Sequence, residues 1–307
     1  MSTHLVIGAG SVGTAVATQL ASAGEHVVLV SRRGSGPEHA GIRRVAVDAT
    51  SSEALQQCDP AAVAIYNCAN PDYHRWAQDW PPLNAAFIEY AEQTGAVLAT
   101  CSNLYGYGPV TGPVTTSLPL HATGTKGRVR AAMWIEAKTL HDAGRIRATE
   151  VRGSDYIAPS EATRLGSSRV VPRILAGKSV SVIGPVNYPH SWTAPADVAA
   201  LLISTARAPK AWGKAWHVPS NPPRTQGELV HDLADVAGVQ RVPVKQVPVP
   251  ITRVLGRFNP GIKELEETAY QWDRPFVIDD TESRVEFGLE PTPWHQLVED
   301  VVAFYKR

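Results

Sequence analysis

Short apolar runs separated by glycine-marked turns and by amphipathic stretches organise the first half of the chain. Runs at 5–8, 26–31, 43–47, 61–67, 96–101 and 147–152 are rich in Val, Ile, Leu and Ala and predict strands. Stretches at 12–23, 83–93 and 127–143 predict helices, and Gly95 and Gly144 stand where helix stops are expected. Strand and helix in alternation imply an α/β fold: a doubly wound parallel sheet covered on both faces. The segment from Gly34 to Gly41 is too broken by Gly, Ser and Pro for a full helix, so the second crossover is expected to be short or irregular. Beyond Tyr156 the alternation lapses into short elements, as in a cap built over the strand ends. The run 215–219 predicts a strand that rejoins the sheet, and 195–206 a helix beneath it. A division into 1–155 and a smaller cap at 156–307 is therefore interleaved, with 190–220 returning to the first part.

The first strand runs straight into Gly8-Ala-Gly10-Ser11-Val12-Gly13 and then a small-residue helix. Gly8 permits the tight turn, Gly10 lets backbone N–H groups approach a pyrophosphate, and Gly13 lets helix pack on strand; the helix N-terminus faces the phosphates. This predicts a Rossmann dinucleotide site. The second strand ends on Ser31-Arg32-Arg33, where a site for NAD would place a carboxylate on the ribose 2′-hydroxyl. A hydroxyl and two guanidiniums suit a 2′-phosphate instead, so the cofactor expected is NADP(H). The bland alternative is that Arg32 and Arg33 are solvated loop residues.

A chain of 307 residues with 44% hydrophobic content can bury a large core. Its formal charge of zero gives no reason to expect nucleic acid or an acidic membrane as partner. A strand begins within a few residues of Met1, leaving no room for a signal peptide, and no apolar run nears the about 20 residues of a membrane span. Cys58, Cys68 and Cys101 lack C-x-x-C spacing, which favours reduced thiols and a cytoplasmic location, and the ten histidines show no metal-ligand pattern. No metal is expected.

Taken in order, the glycine turn, Asp48 after the third strand, Cys101-Ser102-Asn-Leu-Tyr105-Gly106 after the fifth, Lys126 opening a long helix, Arg152-Gly-Ser-Asp-Tyr156, and His190-Ser-Trp-Thr-Ala-Pro-Ala-Asp197 resemble the extended short-chain dehydrogenases, including the NAD-dependent epimerase/dehydratase family. The resemblance covers nearly the whole chain. It implies cofactor contacts at Gly8, Gly10, Ser11, Val12, Gly13, Ser31, Arg32, Arg33, Asp48, Ala69, Lys126 and Tyr156. It also implies that Lys126 holds the nicotinamide ribose. Family members pair that lysine with a tyrosine four residues earlier as proton donor, and here the position is Ala122. The family's Ser/Thr on the substrate oxygen falls on Cys101, or on Ser102 with a one-residue slip. The extended members' usual G-x-x-G-x-x-G becomes Gly8, Gly10 and Gly13. The stretch Tyr188-Pro-His190-Ser-Trp192 lacks the arginine that clamps diphosphates in sugar-nucleotide enzymes, which points to another substrate class.

Candidates for the missing proton donor are Tyr105, Tyr107, His121 and Tyr156. Tyr107 is favoured because its glycine neighbours free the loop to bring a phenol into the cleft, while Trp192 is the tryptophan expected at the pocket. The run Glu264-Leu-Glu-Glu267, like Asp280, Glu282 and Arg284, reads as solvated charge without chemistry. The expected activity is reduction by NADP(H) of a carbonyl, imine or activated double bond of a small molecule. Two alternatives stand beside it: a redox-neutral epimerase or dehydratase, and a non-catalytic NADP(H) sensor. Apolar positions Val129, Ala132, Met133, Ile135 and Ala137, with the helix at 83–93, suggest a homodimer through two helices of each copy.

Overall fold

The computed structural model describes residues 2–161, 163, 167–248 and 266–307. Seven strands form one sheet: β1 (Thr3–Ile7), β2 (His26–Ser31), β3 (Ile42–Ala46), β4 (Ala64–Asn67), β5 (Val97–Asn103), β6 (Arg147–Gly153) and, after three short strands of the cap, β10 (Ala215–His217). Their order is β10-β6-β5-β4-β1-β2-β3 and every pairing is parallel. All carboxyl ends therefore share one edge, and the order reverses between β1 and β4, where the crevice of an open α/β sheet lies.

Both faces are dry, as the near-continuous apolar strands require. On one, α1 (Ser11–Ser22) and α6 (Pro195–Arg207) pack over Val6, Val27, Ala99 and Val151. On the other, α2 (Ser52–Cys58), α3 (Trp76–Thr94) and α4 (Thr125–Asp142) cover Leu5, Ile65 and Leu98. α2 starts where the Ser51 hydroxyl accepts the Ala54 N–H, and Gly95 ends α3 in the left-handed region at φ +72°. α3 begins seven residues before the expected 83 despite Pro81 and Pro82. Burial of Trp76 and Trp80, 1% and 0% exposed, outweighs the lost proline N–H bonds. As expected, 34–41 forms no helix.

The remainder caps the carboxyl edge. It comprises β7 (Asp155–Tyr156) paired with β9 (Trp192–Thr193), β8 (Val180–Ile183) paired with β11 (Val244–Val247), α5 (Val171–Leu175), α7 (Gln226–Ala237), α8 (Thr281–Phe287) and α9 (Trp294–Tyr305). Helices α5, α7 and α9 enclose a separate apolar core with Trp192 and Trp272. Among the described residues no helix is long and apolar enough to cross a membrane.

Candidate functional site

The glycine turn at the end of β1 is built by close contacts on one side and open space on the other. Gly8 has φ +102° and donates its N–H to the Val30 carbonyl at 2.8 Å; a Cβ there would lie 2.6 Å from the Cys68 carbonyl oxygen. A Cβ on Gly13 would lie 1.8 Å from the Gly8 carbonyl oxygen, so helix and strand touch backbone to backbone. At Gly10 a Cβ would meet nothing within 4 Å. Gly10 is also the N-cap of α1, with no side-chain cap and no acidic residue in the first turn, which holds Ser11 and Val12. The turn thus presents a helix end with positive character to free space on the carboxyl edge.

Around it stand the other residues of the expected cofactor set. Arg32 and Arg33 are exposed past the end of β2, while the Ser31 hydroxyl accepts the Ser35 N–H at 2.9 Å and shapes the turn behind them. Asp48 is exposed, and its Oδ1 accepts the Thr50 N–H and hydroxyl at 3.0 and 2.9 Å. Ala69 is half-buried behind Gly8.

Two strands along, α4 and the loop before it form the wall of a pocket of about 230 Å³. Tyr105, Ala122, Thr123, Gly124, Glu267 and Tyr270 line it. The Ala122 N–H bonds to the Gly106 carbonyl at 3.1 Å, and Ala122 is one of the residues lining the pocket. Lys126 is buried, with Nζ 3.3 Å from Glu267 Oε2 and 5.7 Å from the centre of the Tyr73 ring. The Tyr105 and Tyr73 hydroxyls lie 3.1 Å apart, and burial pushes both phenols up, Tyr105 well above the usual range. Both therefore stay protonated, and one of the two hydroxyls donates to the other. Tyr270 is likewise raised, by burial first and then by Glu267 and Asp155.

Cys101 and Tyr156 meet on the other face of β5, Sγ to hydroxyl 3.4 Å. Burial raises both groups, so Cys101 is a thiol and not a thiolate nucleophile. Ser102 is buried in β5 opposite Arg152. Beneath the strand end, the buried Arg130 is sandwiched by Trp76 and Trp80, its guanidinium 4.7 and 4.2 Å from their ring centres, and donates to the Cys101 carbonyl at 3.4 Å.

Tyr107 does not reach the pocket. It is 2% exposed, and its hydroxyl accepts from Arg152, which is paired with Glu150 at 2.6 Å inside the core. The Tyr107 hydroxyl also lies 2.9 Å from His217 Nε2, and His217 Nδ1 lies 2.9 Å from the Asp279 carbonyl. Burial lowers the His217 pKa to about 4, so the imidazole is neutral: Nδ1–H donates to the carbonyl and Nε2 accepts from the phenol. The flanking glycines give close packing, not freedom, since a Cβ on Gly106 would lie 3.1 Å from a Leu120 methyl and one on Gly108 3.1 Å from the Ala122 Cα. His121 is exposed. Trp192 is also elsewhere, buried in the cap with its indole N–H on the Arg224 carbonyl at 2.9 Å. His190 beside it is buried, bonded to Asp155 at 3.0 Å and stacked on Trp272.

Glu267 is the site residue that sequence reasoning passed over. Its run reads as solvated charge, and nothing local signals a contact 141 residues away; Glu264 and Leu265 of that run lie outside the described residues. Asp280 does have a structural task, accepting the Ser220 N–H at 2.6 Å and pairing with Arg284. Among the described residues no group of three or more His, Cys, Asp or Glu side chains is arranged to hold a metal ion.

Residues 4–218 match the model of the NAD dependent epimerase/dehydratase family. A sequence search of characterised proteins finds no significant match. Among solved structures, UDP-glucose 4-epimerase of Thermotoga maritima, determined with UDP-glucose, superposes with a TM-score of 0.81 at 16% identity over 99% of this chain and 98% of its own. A dTDP-glucose 4,6-dehydratase from Bacillus anthracis in complex with NAD gives 0.82 at 17% identity over 100% and 97%. UDP-glucose 4-epimerase of Thermus thermophilus, also with NAD, gives 0.78 at 15% over 99% of both chains. At such identities the likeness is one of fold.

Proposed function

Because the chain belongs to the NAD dependent epimerase/dehydratase family, we propose that it binds a nicotinamide dinucleotide across the carboxyl edge of its sheet and uses it without net consumption, to epimerise or dehydrate a small molecule. The observation that carries this reading is the pairing of an open, helix-backed turn at Gly10 with a pocket of about 230 Å³ beside Lys126 on the same edge. The residues fit the cofactor: Gly10 leaves room for a pyrophosphate, the first turn of α1 turns its N–H groups toward it, and Lys126 is at hand for the far ribose. When bound there, the dinucleotide supplies hydride transfer. The chain's own part is to hold substrate in the Ala122 pocket, where the protonated phenols of Tyr105 and Tyr270 donate hydrogen bonds to a substrate oxygen.

The epimerases and dehydratase that share the fold support redox-neutral use over the reductase expected from sequence. Incubating the protein with pooled small hydroxylated compounds and catalytic cofactor tests this. The expected result is product by mass spectrometry with the near-ultraviolet absorbance of reduced cofactor unchanged. In a parallel incubation with NADPH in excess, loss of that absorbance equal to the product formed would assign a reductase, and cofactor binding without any product from a broad pool would favour a sensor.

The preferred form is NADP(H), supported by Arg32 and Arg33 exposed beyond β2 with no carboxylate at the strand end. NADPH is expected to bind tighter than NADH by about 1.5–3 kcal/mol, the worth of hydrogen bonds to a charged group, and Arg32→Ala to remove most of that margin. Calorimetric titration of both cofactors checks it, and equal affinity in the unaltered protein would refute it. We also propose a homodimer through α3 and α4. Met133 and Ala137 turn inward to the chain's own core, while Ala132 and Ile135, the latter 55% exposed, remain on the outer face of α4. Light scattering at micromolar concentration is expected to give twice the 33.0 kDa chain mass; a monomer would refute the pairing.

A further inference from the structure

A carboxylate near the pocket is held on one side and open on the other. Asp155 stands in β7, just past the carboxyl end of β6, opposite Trp192 of β9. His190 Nε2–H donates to its Oδ2 at 3.0 Å, and among the described residues its Oδ1 has no hydrogen-bond partner. His190 is itself fixed: its backbone N–H and carbonyl both bond to Arg224, at 3.2 and 3.0 Å, and its ring stacks on Trp272 with centres 4.1 Å apart. Asp155 keeps 18% of its side-chain exposure against 2% for His190, so the histidine backs a carboxylate that stays accessible. Phe276 joins this pair to the pocket wall. It stacks on His190 with centres 5.7 Å apart and meets Tyr270 edge-on at 6.2 Å. Tyr105 and Tyr270, which line the pocket, are raised chiefly by burial, and the negative charge of Asp155 adds to both. Other charges nearby are matched or enclosed: Lys126 and Glu267 face each other at 3.3 Å, and Arg130 is sealed between Trp76 and Trp80.

Resting on the functional reading above, in which the substrate lies against Tyr105 and Tyr270, we infer that Asp155 binds a protonated amino group of that substrate and so sets its class as small hydroxylated amines. A carboxylate with one oxygen accepting from His190 and the other open has room for an N–H donor, and an ammonium supplies the donor together with the opposite charge. The carboxylate is oriented before the ligand arrives, so little ordering is lost on binding. The rings of Tyr105 and Tyr270 suit a cation beside them, and their hydroxyls remain for the substrate oxygen on which redox-neutral chemistry acts. A nucleotide diphosphate has the wrong sign, because its phosphates would meet Asp155 as a like charge.

Matched probes test this on the full chain in excess NADP⁺. Serinol and glycerol share a skeleton and differ by an amine in place of the central hydroxyl, glucosamine and glucose differ in the same way at one carbon, and UDP-glucose supplies the diphosphate. Ligand-observed NMR titration is expected to show each amine binding about tenfold tighter than its neutral partner, the added worth of a charged donor in such a bond. Asp155→Asn keeps the shape and an acceptor while removing the charge. It should bring each pair to equal affinity and leave glycerol and glucose unchanged. The comparison within the unaltered protein stands even if the variant fails to fold. Equal affinity within the pairs in the unaltered protein, UDP-glucose bound tighter than either amine, or equal weakening of all probes by Asp155→Asn would overturn the inference alone. An unaltered protein that binds none of the five probes, or no NADP⁺, would overturn the functional reading beneath it.

Discussion

Replacing Arg152 by Met is expected to cost about 3–5 kcal/mol of folding stability, the usual penalty for breaking a buried ion pair from one side. Glu150 and Arg152 each retain 3% of their side-chain exposure and sit in β6, under the sheet edge where β10 joins. The guanidinium also donates to Tyr107, whose phenol is bonded in turn to His217 and through it to the Asp279 carbonyl. One cation therefore ties β6, the loop after β5, β10 and the approach to α8 into a single chain of hydrogen bonds. Without it, a carboxylate stays buried and Tyr107 loses a charged donor. Urea unfolding measures the effect: the midpoint should fall while the slope is unchanged, and a loss below about 1 kcal/mol would contradict the account. The double substitution Glu150→Leu/Arg152→Met should recover much of the loss, because an apolar pair of similar volume removes the desolvation cost together with the attraction.

That network also marks the limit of what the sequence discloses. Strands β1 to β6 were legible because parallel strands buried on both faces must be apolar throughout, and because Gly8, Gly10 and Gly13 have few uses besides a strand-to-helix turn on a dinucleotide. The end of the sheet at β10 was legible from Ala215-Trp-His, an apolar run late in the chain. The pocket was half-legible. Ala122 could be placed by its distance from Lys126, but its new neighbour Glu267 could not, since the contact depends on how the cap folds back over α4. Tyr107 was misread for a physical reason: glycines beside a residue can signal close packing as well as freedom, and only the contacts to Leu120 and Ala122 decide which. Trp192 was misplaced similarly, because a family-like segment fixes the path of the backbone and not the face that its side chain takes.

The second large effect is expected at Gly10, and it separates binding from folding. Gly8 and Gly13 are held by backbone contacts, so a side chain at either disrupts the turn itself. Gly10 differs. Its φ of −79° and ψ of −173° are open to any residue, β-branched ones included, and the direction of its missing Cβ is empty. Gly10→Val should therefore leave stability within about 0.5 kcal/mol of the parent, as substitutions away from packed features do. The same methyl groups would fill the space in front of the first turn of α1, where the pyrophosphate must sit. Affinity for the dinucleotide should fall by on the order of 100-fold, about 2.8 kcal/mol. The decisive measurement is calorimetric titration of NADP⁺ into the unaltered protein and into Gly10→Val, with thermal unfolding of both alongside. Tight binding to the first, little or none to the second, and matching unfolding curves are the result predicted. Failure of the unaltered protein to bind below about 1 mM, or equal binding by both proteins, would contradict the claim that this edge of the sheet is a dinucleotide site.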